Sequence, residues 1–86
     1  MSITVRYFAS LREALGSSET LAWPLPGGVA TLSGLRELLI ARGGPHAQVL
    51  AHGRALRCAL DQVMVADDAP LADGAEVAFF PPVTGG

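Results

Sequence analysis

The feature that most restricts this chain is a strand pattern that runs into two prolines close to its last residue. The closing stretch reads Glu76-Val77-Ala78-Phe79-Phe80-Pro81-Pro82-Val83-Thr84-Gly85-Gly86. Residues 75–80 alternate, with Val77 and Phe79 on one face and Ala78 and Phe80 on the other. Proline has no N–H to give to a ladder, so Pro81 and Pro82 end the strand and favour a stiff, extended backbone beyond it. Gly85 and Gly86 lack a Cβ and can pass through a slot that any other residue would block. Residues 82–86 would reach on the order of 15 Å when extended. This predicts a domain over residues 1–81 and a slim tail over 82–86 that presents the Gly86 carboxylate to another protein's active site. The competing reading is a frayed chain end. Composition argues against it, because disordered ends are rich in charge and serine, whereas here two aromatics and two prolines accompany a single threonine.

The rest of the chain has to carry that tail. Its 86 residues suit one domain, and with half of them hydrophobic they suit a globular one. One cysteine, Cys58, excludes an internal disulfide framework and fits a reducing compartment. No apolar run approaches membrane-spanning length and no signal peptide is apparent, so a cytoplasmic location is expected. Six arginines, no lysine and a net charge of −2 do not make the basic footprint of a nucleic-acid binder. The acids gather late (Asp61, Asp67, Asp68, Asp73 and Glu76), and no basic residue follows Arg57. The reactive end is therefore expected to lack a cation of its own, so that a partner must supply the catalytic groups.

In chain order, residues 3–9 read as a strand with Ile3, Val5 and Tyr7 facing one way and Thr4, Arg6 and Phe8 the other. Ser10-Leu11-Arg12-Glu13 has the form of a capping box that opens a short helical turn, closed by Gly16. Residues 20–25 alternate again, and Pro24 assigns this strand to a sheet edge. Thr31 is placed to cap a helix with Leu32, Leu35, Leu38 and Leu39 along one stripe, ended by Gly43-Gly44-Pro45. Gly34 inside it suggests close approach of this helix to the sheet. Residues 46–51 suggest a further helical turn. Residues 55–60 and 63–65 form a hairpin about a tight Asp61-Gln62 turn, and residues 67–74 a loop anchored by Leu71. The expected fold is α+β: a single β-grasp domain with a mixed five-stranded sheet, one main helix across one face and the most apolar strands, first and last, at its centre.

Phe8 and Phe80 then fall on the face opposite the core and would form an exposed aromatic patch of the kind that marks a partner surface. Loops folded over them, or the reverse strand parity, are the alternatives. Cys58 reads as a buried structural thiol, since no group is placed to lower its pKa. His46, His52 and Cys58 are spaced by six, which matches no zinc pattern.

The closing block resembles the terminus of the small-subunit family of molybdopterin synthase, sulfur carriers of the ubiquitin-like β-grasp kind. Asp67-Asp68-Ala69-Pro70-Leu71-Ala72-Asp73-Gly74 is similar to that family's loop before its last strand, and Val5-Arg6-Tyr7-Phe8-Ala9-Ser10-Leu11-Arg12-Glu13 to its first strand and turn. Asp61 departs from the asparagine common in the family. The resemblance implies that a ubiquitin-activating-like adenylyltransferase uses ATP to adenylate Gly86, and that a sulfur donor converts the adenylate to a thiocarboxylate. It further implies that the tail then enters a large synthase subunit, within a heterotetramer, and gives sulfur to cyclic pyranopterin monophosphate to build the dithiolene. Phe8, Phe80, Pro81, Pro82, Val83, Thr84 and Gly85 would contact the partner, no cofactor or metal would be held, and the subunit alone would be inactive. Rival readings are a sulfur carrier for thiamin thiazole or amino-acid thiolation, a protein modifier conjugated through Gly86, and a β-grasp interaction module with an incidental Gly-Gly end.

Overall fold

The computed structural model describes residues 1–51 and 55–81. Strand β1 (Ser2–Tyr7) leads through Ala9 into helix α1 (Ser10–Leu15), and strand β2 (Ser18–Ala22) returns beside it. A single 3-10 turn (Pro26–Gly28) precedes helices α2 (Leu32–Ile40) and α3 (Gly44–Leu50). Strands β3 (Arg57–Leu60), β4 (Val63–Val65) and β5 (Glu76–Phe80) complete the chain. The five strands form one sheet in the order β2-β1-β5-β3-β4, with β1 and β5 parallel and the other pairs antiparallel. The last strand is therefore the middle one, and the chain leaves the sheet from its centre at Pro81.

The core lies between the sheet and α2, the main helix. Leu32, Leu35 and Leu39 form the stripe that their three- and four-residue spacing requires, and they pack with Ile3, Val5, Tyr7, Val77 and Phe79. Each of these is almost wholly removed from water, which contributes roughly 1.5–3 kcal/mol for a leucine-sized side chain. Thr31 caps α2 as expected, its Oγ1 accepting from the Gly34 N–H at 3.2 Å. Arg36, on α2, donates from Nε to the Leu50 carbonyl and from Nη2 to the Ala51 carbonyl, both at 2.6 Å, and so satisfies acceptors at the end of α3. Leu71 anchors the loop between β4 and β5, at 7% exposure.

Several local expectations change. The capping box does not form: Ala9, at φ 53°, takes the cap position without a side-chain bond, and the Phe8 carbonyl accepts from the Leu11 N–H at 3.1 Å. Ser10 is thereby inside the helix rather than before it. Strand β2 is displaced toward the N-terminus of its expected span because it pairs with β1 from Ser18 to Ala22, leaving Trp23 and Pro24 beyond the ladder. It is nevertheless an edge strand, as Pro24 indicated. Residues 46–51 are not an isolated turn, since α3 begins at Gly44 with Pro45 in its first turn, where a missing N–H costs nothing. Gly34 is not there for the sheet. A Cβ on it would lie 2.7 Å from Val29 Cγ1 and 3.2 Å from Thr31 Oγ1, so the close neighbour is the segment that leads into α2.

Candidate functional site

Strand pairing determines what surrounds the point where the chain leaves the sheet. Parallel pairing of β1 with β5 sets Arg6 beside Ala78, and antiparallel pairing of β3 with β5 sets Arg57 opposite Phe80 and Ala59 opposite Ala78. The β3–β4 hairpin sets Met64 opposite Ala59. Paired residues share a face, so Phe80, Ala78, Ala59, Met64, Arg6 and Arg57 all lie on the side of the sheet turned away from α2. Phe8 continues that side past the end of β1, its N–H donating to the Phe79 carbonyl at 3.2 Å.

The aromatic expectation holds in its parity. Phe8 is 38% exposed, Phe80 is half-buried, and the two rings meet edge to face with centroids 6.1 Å apart. Met64, at 50% exposure, extends the apolar surface across the sheet. Pro81 is half-buried at the end of β5. Pro82, Val83, Thr84, Gly85 and Gly86 lie outside the described residues, as does His52.

Sequence reading missed Met64 and both arginines. Met64 was accessible in principle. Asp61 and Gln62 have φ values of 49° and 70°, a turn of two left-handed residues that dictates hairpin register and hence places Met64 opposite Ala59. The expectation that the reactive end lacks a cation concerns Gly86, outside the described residues, but the strand that leads to it does have cations beside it. Arg57 is distant in sequence but stands opposite Phe80, one residue before the prolines. Arg6 joins it from β1, its guanidinium 5.3 Å from the Phe8 ring centroid.

The other polar groups singled out by sequence have structural roles here. Asp61 extends the β3–β5 pairing: its N–H donates to the Glu76 carbonyl at 2.8 Å and its Oδ1 accepts from the Glu76 N–H at 3.0 Å. Aspartate can take the left-handed turn conformation that asparagine also favours, so the departure at this position keeps the turn. Cys58 is 7% exposed, and burial pushes its thiol pKa up, against a smaller lowering by Arg36. That is the condition of an inert thiol. Among the described residues no group of three or more His, Cys, Asp or Glu side chains could hold a metal ion. No helix among them is long and apolar enough to cross a membrane.

On the opposite side of the sheet, a polar hub that sequence spacing gave no hint of ties four elements together. Glu19 on β2 accepts from the Tyr7 hydroxyl at 2.7 Å and from Arg42 Nη1 at 2.7 Å, and His46 Nε2 lies 3.5 Å from its Oε2. Burial alone would raise the Glu19 pKa, but the bonds from Tyr7, Arg42 and His46 outweigh it and hold the carboxyl below its ordinary value. Burial, then the same Glu19 bond, pushes the Tyr7 phenol far up.

A mixed five-stranded sheet that grips one principal helix and releases the chain from its central strand is the ubiquitin-like β-grasp. Two solved structures are similar over the full length of both chains: SAMP1 from Haloferax volcanii, with 24% identity and a TM-score of 0.73, and the complex of subunits 1 and 2 of molybdopterin-converting factor from Helicobacter pylori, with 24% identity and a TM-score of 0.66. These likenesses speak for the fold. The chain belongs to the ThiS family, which it matches over residues 5–86, through the terminal glycine. It is also 44% identical over 85 residues to the molybdopterin synthase sulfur carrier subunit of Escherichia coli (strain K12), a match covering 98% of this chain and 99% of that relative.

Proposed function

We propose that this chain is the sulfur-carrier subunit of a molybdopterin synthase and works through the carboxyl group of Gly86. The observation that carries the proposal is the 44% identity to a sulfur carrier subunit across nearly the whole of both chains. A shared β-grasp alone would not distinguish a carrier from a protein modifier, since proteins of different use have this fold. In this reading residues 1–81 are the domain and 82–86 the arm that enters other active sites.

The chemistry asks little of the domain beyond delivery. A carboxylate is a poor acyl donor; attack of its oxygen on the α-phosphorus of ATP, with loss of pyrophosphate, gives an acyl adenylate. Hydrosulfide delivered by the donor then attacks the acyl carbon and expels AMP, leaving a thiocarboxylate whose sulfur is far more nucleophilic than the original oxygen. Both steps belong to an activating enzyme and a sulfur donor, and the final transfer to a cyclic pyranopterin monophosphate belongs to the large subunit. The subunit pairing in the Helicobacter pylori complex supports that last partner. Phe8, Phe80 and Pro81, with Met64 added by the structure, would form the docking face, and Pro82, Val83, Thr84 and Gly85 would line the partner's channel. The cytoplasm, where ATP and reduced thiols are available, is the proposed location.

Reconstitution tests this. Thiocarboxylated chain mixed with the large subunit of the same organism and cyclic pyranopterin monophosphate should yield dithiolene product, and the chain lacking Gly86 should yield none. Product formation at an undiminished rate without Gly86 would refute the proposal.

A further inference from the structure

We infer that Arg6 and Arg57 select the partner, so that the surface docking on Phe80 must bring carboxylates to both sides of an apolar centre. The inference rests on the docking face proposed above and adds the chemistry of the surface opposite it. Arg57 stands across from Phe80 on β3, and Arg6 beside Ala78 on β1. The two guanidinium groups thus flank β5 on one face, from strands roughly 10 Å apart.

Directly paired residues have Cβ atoms about 5 Å apart, so no surface can cover Phe80 without covering or bordering Arg57. A guanidinium taken out of water without an anion is strongly disfavoured. Among the described residues no carboxylate pairs with Arg57. Arg6 has Glu76 at 3.9 Å, but those side chains are 46% and 34% exposed, which makes a weak pair. Its position over the Phe8 ring instead holds the charge within the docking face.

The rest of the charge distribution sharpens this. Asp61 bonds to Glu76 at the start of β5, and Asp73 accepts from the Ser2 N–H at the start of β1. Both acids lie at the end of the sheet away from Phe80. On the face turned away from α2, the charged side chains paired with Ala78 and Phe80 are both arginines, while Asp67 borders Arg57 in the cleft beside that face. Two arginines about an apolar centre are too sparse for a nucleic-acid footprint, whereas they match a folded protein surface with an apolar patch between acidic side chains.

The test measures affinity for the large subunit of the same organism over a range of salt concentrations. Arg6→Gln and Arg57→Gln each remove one positive charge from the face, and Gln48→Glu, exposed on α3 away from it, changes net charge by the same amount. Each arginine variant should bind about fivefold more weakly at low salt, and the double variant more weakly still with a flatter salt dependence. Gln48→Glu should bind within about twofold of the unaltered chain, since charges far from an interface are screened. Phe80→Ala separates the two layers of the argument. If Phe80→Ala weakens binding while both arginine variants bind normally at every salt concentration, the docking face stands and the charge assignment falls. If Gln48→Glu weakens binding as much as either arginine variant, the effect is one of net charge and the assignment again falls. If neither Phe80→Ala nor the arginine variants weaken binding, the docking face itself is elsewhere.

Discussion

Replacing Glu19 by glutamine probes the hub that joins the edge strand β2 to the helices. The carboxylate accepts two short bonds, from Tyr7 and from Arg42, each at 2.7 Å, through different oxygens. Glutamine retains one acceptor oxygen, so one donor loses its partner and the ionic attraction to Arg42 disappears. Bonds to a charged group contribute roughly 1.5–3 kcal/mol when well buried. Arg42 is 39% exposed and Glu19 25%, so water takes back part of that, and a net loss of about 1–2 kcal/mol is expected. For a domain of this size that lowers Tm by roughly 4–16 °C.

The pH dependence follows from the direction of the Glu19 shift. Its folded-state pKa is depressed, so the stabilisation is complete above the ordinary glutamate value and is lost as pH falls through the lower folded value. Urea melts of both proteins at neutral pH and near pH 3 should therefore show a gap that narrows in acid. Equal stability at neutral pH, or a gap that persists undiminished in acid, would refute this reasoning.

Gly34→Ala sets a helix-propensity gain of about 1 kcal/mol against overpacking that typically costs 1–3 kcal/mol. The contact to Val29 Cγ1, at 2.7 Å, decides for net destabilisation, and a thermal melt showing the variant more stable would contradict it. Cys58 should react with iodoacetamide at least about tenfold more slowly in the folded protein than in urea, because burial both hides the thiol and raises its pKa. Comparable rates would show that the site opens readily. Removing Gly86 should change Tm by less than about 1 °C, since chain ends away from a core contribute little to stability. A drop of several degrees would count against the division of the chain into domain and arm.

The parts of the fold legible in sequence are those governed by local rules. Prolines 81 and 82 marked the end of β5, alternation gave the correct faces to Phe79 and Phe80, and the leucine spacing with Thr31 before it gave α2. Asp61-Gln62 marked a turn that the backbone confirms by two positive φ values. The failures arise where the outcome depends on pairing between distant segments. Arg57 reaches the tail's root only through the β3–β5 register, and Glu19 meets Tyr7, Arg42 and His46 only after β2, α2 and α3 are assembled. The capping box failed for a local reason, because the turn at Ala9 shifted the helix start by one residue. Gly34 was recognised as a close approach but assigned to the wrong neighbour, as a missing side chain carries no record of what occupies its place.

The central claim is that the backbone carboxyl of Gly86 is the group on which the chemistry is done. Intact mass of the chain after coexpression with its activating enzyme and a sulfur source tests it most directly. Exchange of one oxygen for sulfur should add about 16 Da, located by fragmentation at the last residue. An unchanged mass with a demonstrably competent activating enzyme, or sulfur found on Cys58 instead, would contradict it.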